Sequence, residues 1–165
     1  MSYDRVLNLG DWVLALHVLS AFAFVGGTVL FWVLIAASRG IDTPADTIRI
    51  QPIARVGGRA VMVGATGTIL FGIWLALSYG EYDLWDPWII AAVILWLAAG
   101  GVGSRTGTEY TKAFDKASEL ESAGRMEPDA ELLALNRTSK GAALHAAGSL
   151  LLLLLLIDMI WKPGA

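Results

Sequence analysis

The stretch LALHVLSAFAFVGGTVLFWVL, residues 14–34, places a single histidine, His17, in an almost wholly apolar run. This run belongs to an apolar segment, residues 12–37, that is longer than the ~20 residues a helix needs to cross the hydrocarbon core of a membrane. The second of the chain's two histidines, His145, lies in a comparable stretch, GAALHAAGSLLLLLLLIDMIW, residues 141–161. Because ionisable side chains are costly inside a membrane, both histidines are candidate functional residues.

The composition indicates an integral membrane protein. Of the 165 residues, 56% are hydrophobic and only 16% are charged, whereas soluble domains carry roughly 25% charged residues. Apolar segments of spanning or near-spanning length cover residues 12–37, 60–79, 87–103 and 141–161. We therefore predict one all-α domain over residues 1–165, an integral membrane up-down four-helix transmembrane bundle whose immediate partner is the lipid bilayer.

The charges predict the orientation. Most basic residues fall in or beside the first and third connections: Arg39, Arg49, Arg55, Arg59, Arg105, Lys112, Lys116, Arg125, Arg137 and Lys140. The opposite side carries only two cations, Arg5 and Lys162, among six acids: Asp4, Asp11, Glu81, Asp83, Asp86 and Asp158. The positive-inside rule then places both termini of this multi-pass protein outside the cytoplasm. Four tryptophans on that side are typical of an interfacial belt: Trp12, Trp85, Trp88 and Trp161.

Residues 104–140 form the only substantial polar segment. Good helix formers precede Gly124, which is a suitable helix stop. A second helical pattern then begins, with Glu127 as a possible cap and Pro128 in the first turn. Nothing in the sequence breaks that second pattern before the fourth span. We expect a cytoplasmic helical hairpin that extends the third and fourth transmembrane helices.

Several classes of function are excluded or disfavoured. The chain has no cysteine, which excludes disulfides, thiolate metal sites, iron–sulfur ligation and covalent c-type haem attachment. The first apolar run is too long, and its leading residues too nearly neutral, for a cleaved signal peptide. Basic residues of the hairpin alternate with acids, so nucleic acid is not an expected partner.

The depths of the two histidines argue against a shared metal. With a rise of 1.5 Å per residue, His17 lies roughly 12 Å to one side of its span's centre, and His145 roughly 9 Å to the other side. They are then about 20 Å apart along the membrane normal. Two imidazoles on one metal need coordinating nitrogens only about 4 Å apart, since each metal–nitrogen bond is near 2 Å. If His17 and His145 bind metal or haem, they form separate sites or meet a partner chain.

Each histidine has a methionine at its own depth. Asp158 and Met159, on the fourth span, are level with His17 if the first and fourth helices are neighbours. Met62 is level with His145. Histidine with methionine is the axial pairing of some cytochromes, which makes a b-type haem the candidate cofactor.

Two arginines near His145 extend this interpretation. Arg55 and Arg59 lie at its depth and could hold haem propionates. Plainer roles are equally open for all of these residues. A hydrogen bond between His17 and Asp158 would join two helices, methionines commonly serve as packing residues, and arginines at this depth bind lipid phosphates.

Four short motifs carry a family resemblance. LHVLSAFAFVGG in the first span, ATGTILFG in the second, DPWII opening the third and a closing Lys162–Pro163–Gly164 occur in this order over nearly the whole chain. The chain thereby resembles a family of small bacterial integral membrane proteins of unknown function. The resemblance implies a multi-pass protein of a bacterial inner membrane. That family is distantly similar to the copper-resistance D type membrane proteins and to the HemJ type protoporphyrinogen oxidases. The resemblance implies a four-helix core and supports His17 as an axial ligand of a b-type haem.

Three functions follow as hypotheses. The first is haem binding or electron transfer. The second is a non-catalytic accessory or scaffold subunit, which docks on a larger membrane complex through the hairpin. The third is a metal-ion or small-molecule carrier in which His17 and Asp158 line a cavity. A second copy of the chain is a further candidate partner, no catalytic residue is identified, and the sequence does not decide whether the protein is an enzyme.

Overall fold

The computed structural model describes residues 9–78 and 83–164 of the chain. Five helices make up most of these residues: α1 (Leu9–Ser38), α2 (Pro44–Ser78), α3 (Pro87–Ser122), α4 (Ala130–Asn136) and α5 (Ser139–Trp161). Three charges used to predict the orientation, Asp4, Arg5 and Glu81, lie outside the described residues, as does the last residue of the predicted second span. No strand occurs in the described ranges.

Four of the helices, α1, α2, α3 and α5, supply stretches long and apolar enough to cross a membrane. Three of them contain a predicted span completely, and α2 contains the predicted second span except for its last residue. The prediction of an all-helical, multi-pass membrane protein is thus confirmed at the level of helix number, length and composition.

α2 begins far earlier than the predicted second span. Thr43 caps it, since the Asp46 backbone N–H donates to Thr43 Oγ1 over 3.3 Å and the Thr43 hydroxyl donates to the Asp46 carboxylate over 2.8 Å. The helix then continues through Pro52. Its 35 residues extend about 52 Å, against a hydrocarbon core about 30 Å thick. The part of α2 before the span is therefore long enough to project beyond the membrane.

α1 and α2 pack closely because two glycines let their backbones meet. A Cβ atom added to Gly64 would overlap the Phe24 backbone nitrogen, and one added to Gly27 would lie 2.7 Å from a Val61 methyl. Neither position has room for a side chain. The small residues predicted to serve helix packing do so here. Gly27 of α1 meets Val61 of α2, whereas Phe24, earlier in α1, meets Gly64, later in α2. The two helices are therefore antiparallel.

The other long helices complete the bundle. α3 packs against α5 along most of its length, and also against α2. α1 and α5 touch at only a few points. We call the end of the bundle formed by Leu9, Ser78, Pro87 and Trp161 the terminal end, and the opposite end, which includes α4, the hairpin end.

Of the two helix boundaries predicted between α3 and α4, the helix stop is confirmed and the helix cap is wrong. Gly124 follows the end of α3 with φ of +70°, as expected of a helix stop. The next helix is capped by Asp129 and not by Glu127, because the Leu132 backbone N–H donates to Asp129 Oδ1 over 3.0 Å.

The expected continuous helix into the fourth span is also wrong. α4 ends at Asn136, and Thr138 caps α5 by accepting a hydrogen bond from the Gly141 N–H over 3.2 Å. Between them, Arg137 Nε donates to the Arg39 carbonyl over 2.6 Å. The break therefore allows α4 to bind the connection between α1 and α2 while α5 enters the bundle.

A small core fills the hairpin end. Ala117 and Leu132 are fully buried, and Leu120 is nearly so. The buried amide of Asn136 donates to Thr47 Oγ1 over 3.0 Å and to the Ile41 carbonyl over 3.1 Å. This end is thus held by both apolar packing and satisfied hydrogen bonds.

Candidate functional site

A cavity of about 750 Å³ lies in the terminal half of the bundle, between α1, α2, α3 and α5. Its wall is almost entirely apolar. Phe24, Ala92, Leu152 and Leu155 belong both to this wall and to the main buried cluster of the bundle. Five of the described lining residues have polar side-chain groups: His17, Thr68, Trp88, Trp96 and Lys162. A volume of this size falls in the roughly 300–1,000 Å³ range of small-molecule and cofactor pockets.

His17 lines the cavity from α1 and rests against α2. A Cβ atom added to Gly72 would lie 3.1 Å from His17 Cε1 and 3.4 Å from Nδ1, so the glycine makes room for the ring. The Thr68 backbone also lies within reach of the ring. His17 Nδ1 is buried and has no hydrogen-bond partner. A buried ring nitrogen without a hydrogen-bond partner is unusual. Because this nitrogen faces α2, it is not the one available to a ligand in the cavity.

Met159 lies on the same cavity as His17. It comes from α5 and packs against the buried cluster that includes Phe24. The sequence argument that places His17 and Met159 at one depth therefore agrees with their positions on a shared wall.

Asp158 is placed differently from its neighbour. Its residue is only 7% exposed, it is not part of the cavity wall, and its Oδ2 atom has no hydrogen-bond partner. No hydrogen bond joins the described Asp158 and His17 side chains, and Nδ1 and Oδ2 are each without a partner. The structure therefore does not form the interhelical bond considered as the plainer role of this pair.

His145 lies outside the cavity wall, and its ring is surrounded by residues of α1. Its Nε2 is 3.1 Å from the Thr28 carbonyl of α1. The Trp32 ring packs edge-on against the imidazole with 4.8 Å between centroids, and the Trp32 indole N–H donates to Ser149 Oγ over 3.0 Å. His145 thus provides one of the few contacts between α1 and α5.

The residues predicted to complete a site around His145 do not gather there. Met62 is 63% exposed on α2. Arg55 donates to Gln51 of its own helix over 2.9 Å, and both Arg55 and Arg59 are exposed. None of the three lines the cavity. Their positions on the surface of α2 suit contact with lipid.

The two histidines remain well separated. His145 contacts α1 at Thr28, which lies eleven residues after His17 and hence about 16 Å further along the helix axis. Within residues 9–78 and 83–164, no group of three or more histidine, aspartate or glutamate side chains is placed to hold a metal ion. A single protein-bound metal shared by these residues is not part of this arrangement.

The sequence did not predict that Trp88 and Lys162 line the cavity. Trp88 is expected in an interfacial belt, yet it is only 6% exposed and lines the cavity, whereas Trp12, Trp85 and Trp161 are largely exposed. Lys162 also lines the cavity, and its Nζ lies 5.3 Å from the centroid of the Trp88 ring. Lys162 belongs to the motif Lys162–Pro163–Gly164, but the motif does not predict that its side chain lines a cavity.

Comparisons of the chain with protein-family models, with curated proteins and with solved structures gave no match.

Proposed function

We propose that the terminal-end cavity binds a b-type haem with His17 as an axial ligand, and that the protein serves in membrane electron transfer. The observation that carries this proposal is the position of His17 on the wall of a large apolar cavity. Intramembrane ionisable residues are functional candidates by default, and a cavity beside one supplies the space for a ligand.

The residues present fit a haem. The cavity volume of about 750 Å³ lies within the range of cofactor pockets. Its walls are apolar, as a macrocycle requires. Ligating histidines usually direct one ring nitrogen at a backbone carbonyl or carboxylate and use the other for the metal. With Nδ1 of His17 turned against α2 near Thr68 and Gly72, Nε2 is the nitrogen left for a ligand.

Met159, which lines the cavity from α5, is the candidate for a second ligand beside His17. When bound, haem would supply one-electron redox chemistry. The protein's contribution would be to hold the iron through His17, to favour the reduced state through a methionine sulfur, and to keep water from the macrocycle with apolar side chains. His145 has no part in this site, since its Nε2 faces the Thr28 carbonyl and Trp32 covers its ring.

The test is spectroscopic. Wild-type protein, His17→Ala and His145→Ala are expressed with haem supplementation and purified in mild detergent. Oxidised and dithionite-reduced absorption spectra are then recorded. We expect a Soret band in wild type that is lost in His17→Ala and retained in His145→Ala. Featureless spectra for the folded wild type, or a Soret band unaffected by His17→Ala, would contradict the proposal.

The second ligand has a matched control in the same chain. Met159→Ala removes a methionine from the cavity wall, whereas Met62→Ala removes one that is 63% exposed on α2. Because methionine ligation raises the haem reduction potential, we expect a lower midpoint potential in Met159→Ala and an unchanged one in Met62→Ala. Equal midpoint potentials in wild type, Met159→Ala and Met62→Ala would show that Met159 is not a haem ligand.

A further inference from the structure

Two arginines of α2 lie level with apolar residues of α1. Gly57 packs against α1, where an added Cβ atom would be 3.2 Å from a Leu30 methyl. Arg55 and Arg59 are two residues to either side of Gly57, so they lie at nearly the same depth as Leu30. Leu30 is about 10 Å inside the end of the apolar run 12–37. Both arginines are therefore at a depth where α1 is still apolar.

Neither arginine has an anionic partner within the described ranges. Arg55 donates to the neutral amide of Gln51 over 2.9 Å, and no ion pair there includes Arg55 or Arg59. The exposed apolar side chains Val29 and Val33 of α1 lie at a similar depth. Because a charge among apolar groups is costly, such arginines bend toward the membrane surface and pair with anions. An anion from outside the chain is therefore the expected partner.

A gap in the surface of α2 lies beside the two cations. Gly58 is three residues after Arg55 and directly before Arg59, and an added Cβ atom there would meet no atom within 4 Å. Met62, one turn further toward the apolar part of the helix, is 63% exposed. Residues three and four apart share a helix face. This face therefore presents two cations, an open space and then an apolar side chain, which is the order of charge and chain in a phospholipid.

We propose that Arg55 and Arg59 bind the phosphate of an anionic phospholipid, which occupies the space beside Gly58 and lays an acyl chain along Met62. The planar guanidinium group of arginine matches phosphate oxygens in charge and geometry. Cations close to the membrane surface attract anionic lipids. The site is separate from the terminal-end cavity, because none of these four residues lines it. It therefore stands or falls independently of haem binding.

The test measures lipid selectivity with the whole chain in mild detergent. The protein is titrated with phosphatidylglycerol, which carries a net negative charge, or with phosphatidylcholine, which carries none, and native mass spectrometry counts the bound lipid. Arg59→Gln removes one cation of the site. Its control is Arg49→Gln, since Arg49 is an exposed arginine of the same helix that pairs with Asp46 at 4.0 Å. Gly58→Leu fills the gap without changing the charge, and Gly100→Leu is its control, because Gly100 also has open space around it.

We expect wild type to prefer phosphatidylglycerol, and Arg59→Gln to bind it about fivefold more weakly, as the loss of one charge near a phosphate would cause. Gly58→Leu should also weaken binding, whereas Arg49→Gln and Gly100→Leu should match wild type. Equal binding of the two lipids by wild type would overturn the proposal, even if a variant fails to fold. Equal losses in Arg59→Gln and Arg49→Gln would overturn it too, because the attraction would then be diffuse. Displacement of the lipid by excess soluble glycerol phosphate would overturn a lipid as the occupant.

Discussion

The two ends of the bundle differ in how they are packed. At the hairpin end, Asn136 is 5% exposed and donates to two acceptors, Thr47 Oγ1 and the Ile41 carbonyl. The buried Tyr110 hydroxyl at this end has no hydrogen-bond partner, and at the terminal end the same is true of His17 Nδ1 and Asp158 Oδ2. The hairpin end has a close-packed core, whereas the terminal end contains a large apolar cavity.

Close packing and a hydrogen-bonded buried amide stabilise the fold, whereas a large cavity gives up packing contacts and supplies space for a ligand. The contrast supports the proposal that the function lies at the terminal end. We expect the hairpin end to serve mainly folding.

The largest difference should come from truncating a leucine at each end. Leu132→Ala empties a fully buried position and should lower the free energy of unfolding by about 2–5 kcal/mol. Leu156→Ala only enlarges a cavity that already exists, so its cost should be clearly smaller. Denaturant unfolding in detergent, followed by circular dichroism, measures both. Equal losses would break the proposed contrast between the ends.

The next largest effect should follow from removing the amide of Asn136. Asn136→Ala leaves the Ile41 carbonyl and the Thr47 hydroxyl without this donor. We expect a loss of about 1–3 kcal/mol in the same unfolding experiment. Thr108→Val is the control, since Thr108 is exposed and bonds only within its own helix, to Ser104. Asn136→Ala behaving like this control would mean that the network contributes little.

A smaller, pH-dependent effect should come from Asp129. The Leu132 backbone N–H, assisted by Arg125, holds the pKa of the Asp129 carboxyl below its usual value. Its contribution to stability is thus present above the unfolded-state pKa, near 3.9, and is lost as the pH falls through the lower folded-state pKa. Asp129→Ala should melt below wild type at pH 7, and the gap should shrink as the pH falls below about 4.

Glu127→Ala is the matched control for this cap, because sequence reasoning chose Glu127 for the role and the structure leaves it exposed. Its melting temperature should follow that of wild type at every pH. A pH-independent gap for Asp129→Ala would show that the charged cap is not what stabilises α4.

The smallest effect should be that of Asp158→Asn. A buried carboxylate oxygen without a partner does not stabilise the fold, so replacing the charge with an amide should leave stability unchanged or raise it. The comparison is with Asn136→Ala, in which a buried polar group of similar size is lost from the other end. A loss of stability equal to that of Asn136→Ala would show that Asp158 has a structural partner.

Sequence patterns predicted what depends on local chemistry. Apolar length identified the four spans, and Gly124 identified the end of α3. The early start of α2 was missed because Pro52 and several arginines resemble a connecting loop. The break between α4 and α5 was missed because it depends on long-range contacts such as that of Asn136 with Thr47. These two residues are 89 positions apart in the sequence, so no local pattern indicates the contact.

The candidate site shows the same division. Counting residues along helices placed His17 and Met159 at one depth, and both line the cavity. The same counting placed Met62 beside His145, but it says nothing about rotation around the helix axis, and Met62 faces outward. The cavity itself, with Trp88 and Lys162 on its wall, is a product of how the helices lean against one another and has no signature in the sequence.

One measurement tests the central claim most directly, that the terminal-end cavity is the ligand site. Val93→Trp fills part of the cavity from α3, whereas Val63→Trp adds the same bulk at a position that is 65% exposed on α2. Haem bound per protein is determined from the Soret band after identical expression and purification. We predict strongly reduced occupancy in Val93→Trp and wild-type occupancy in Val63→Trp. Equal haem content in the two folded variants would contradict the account.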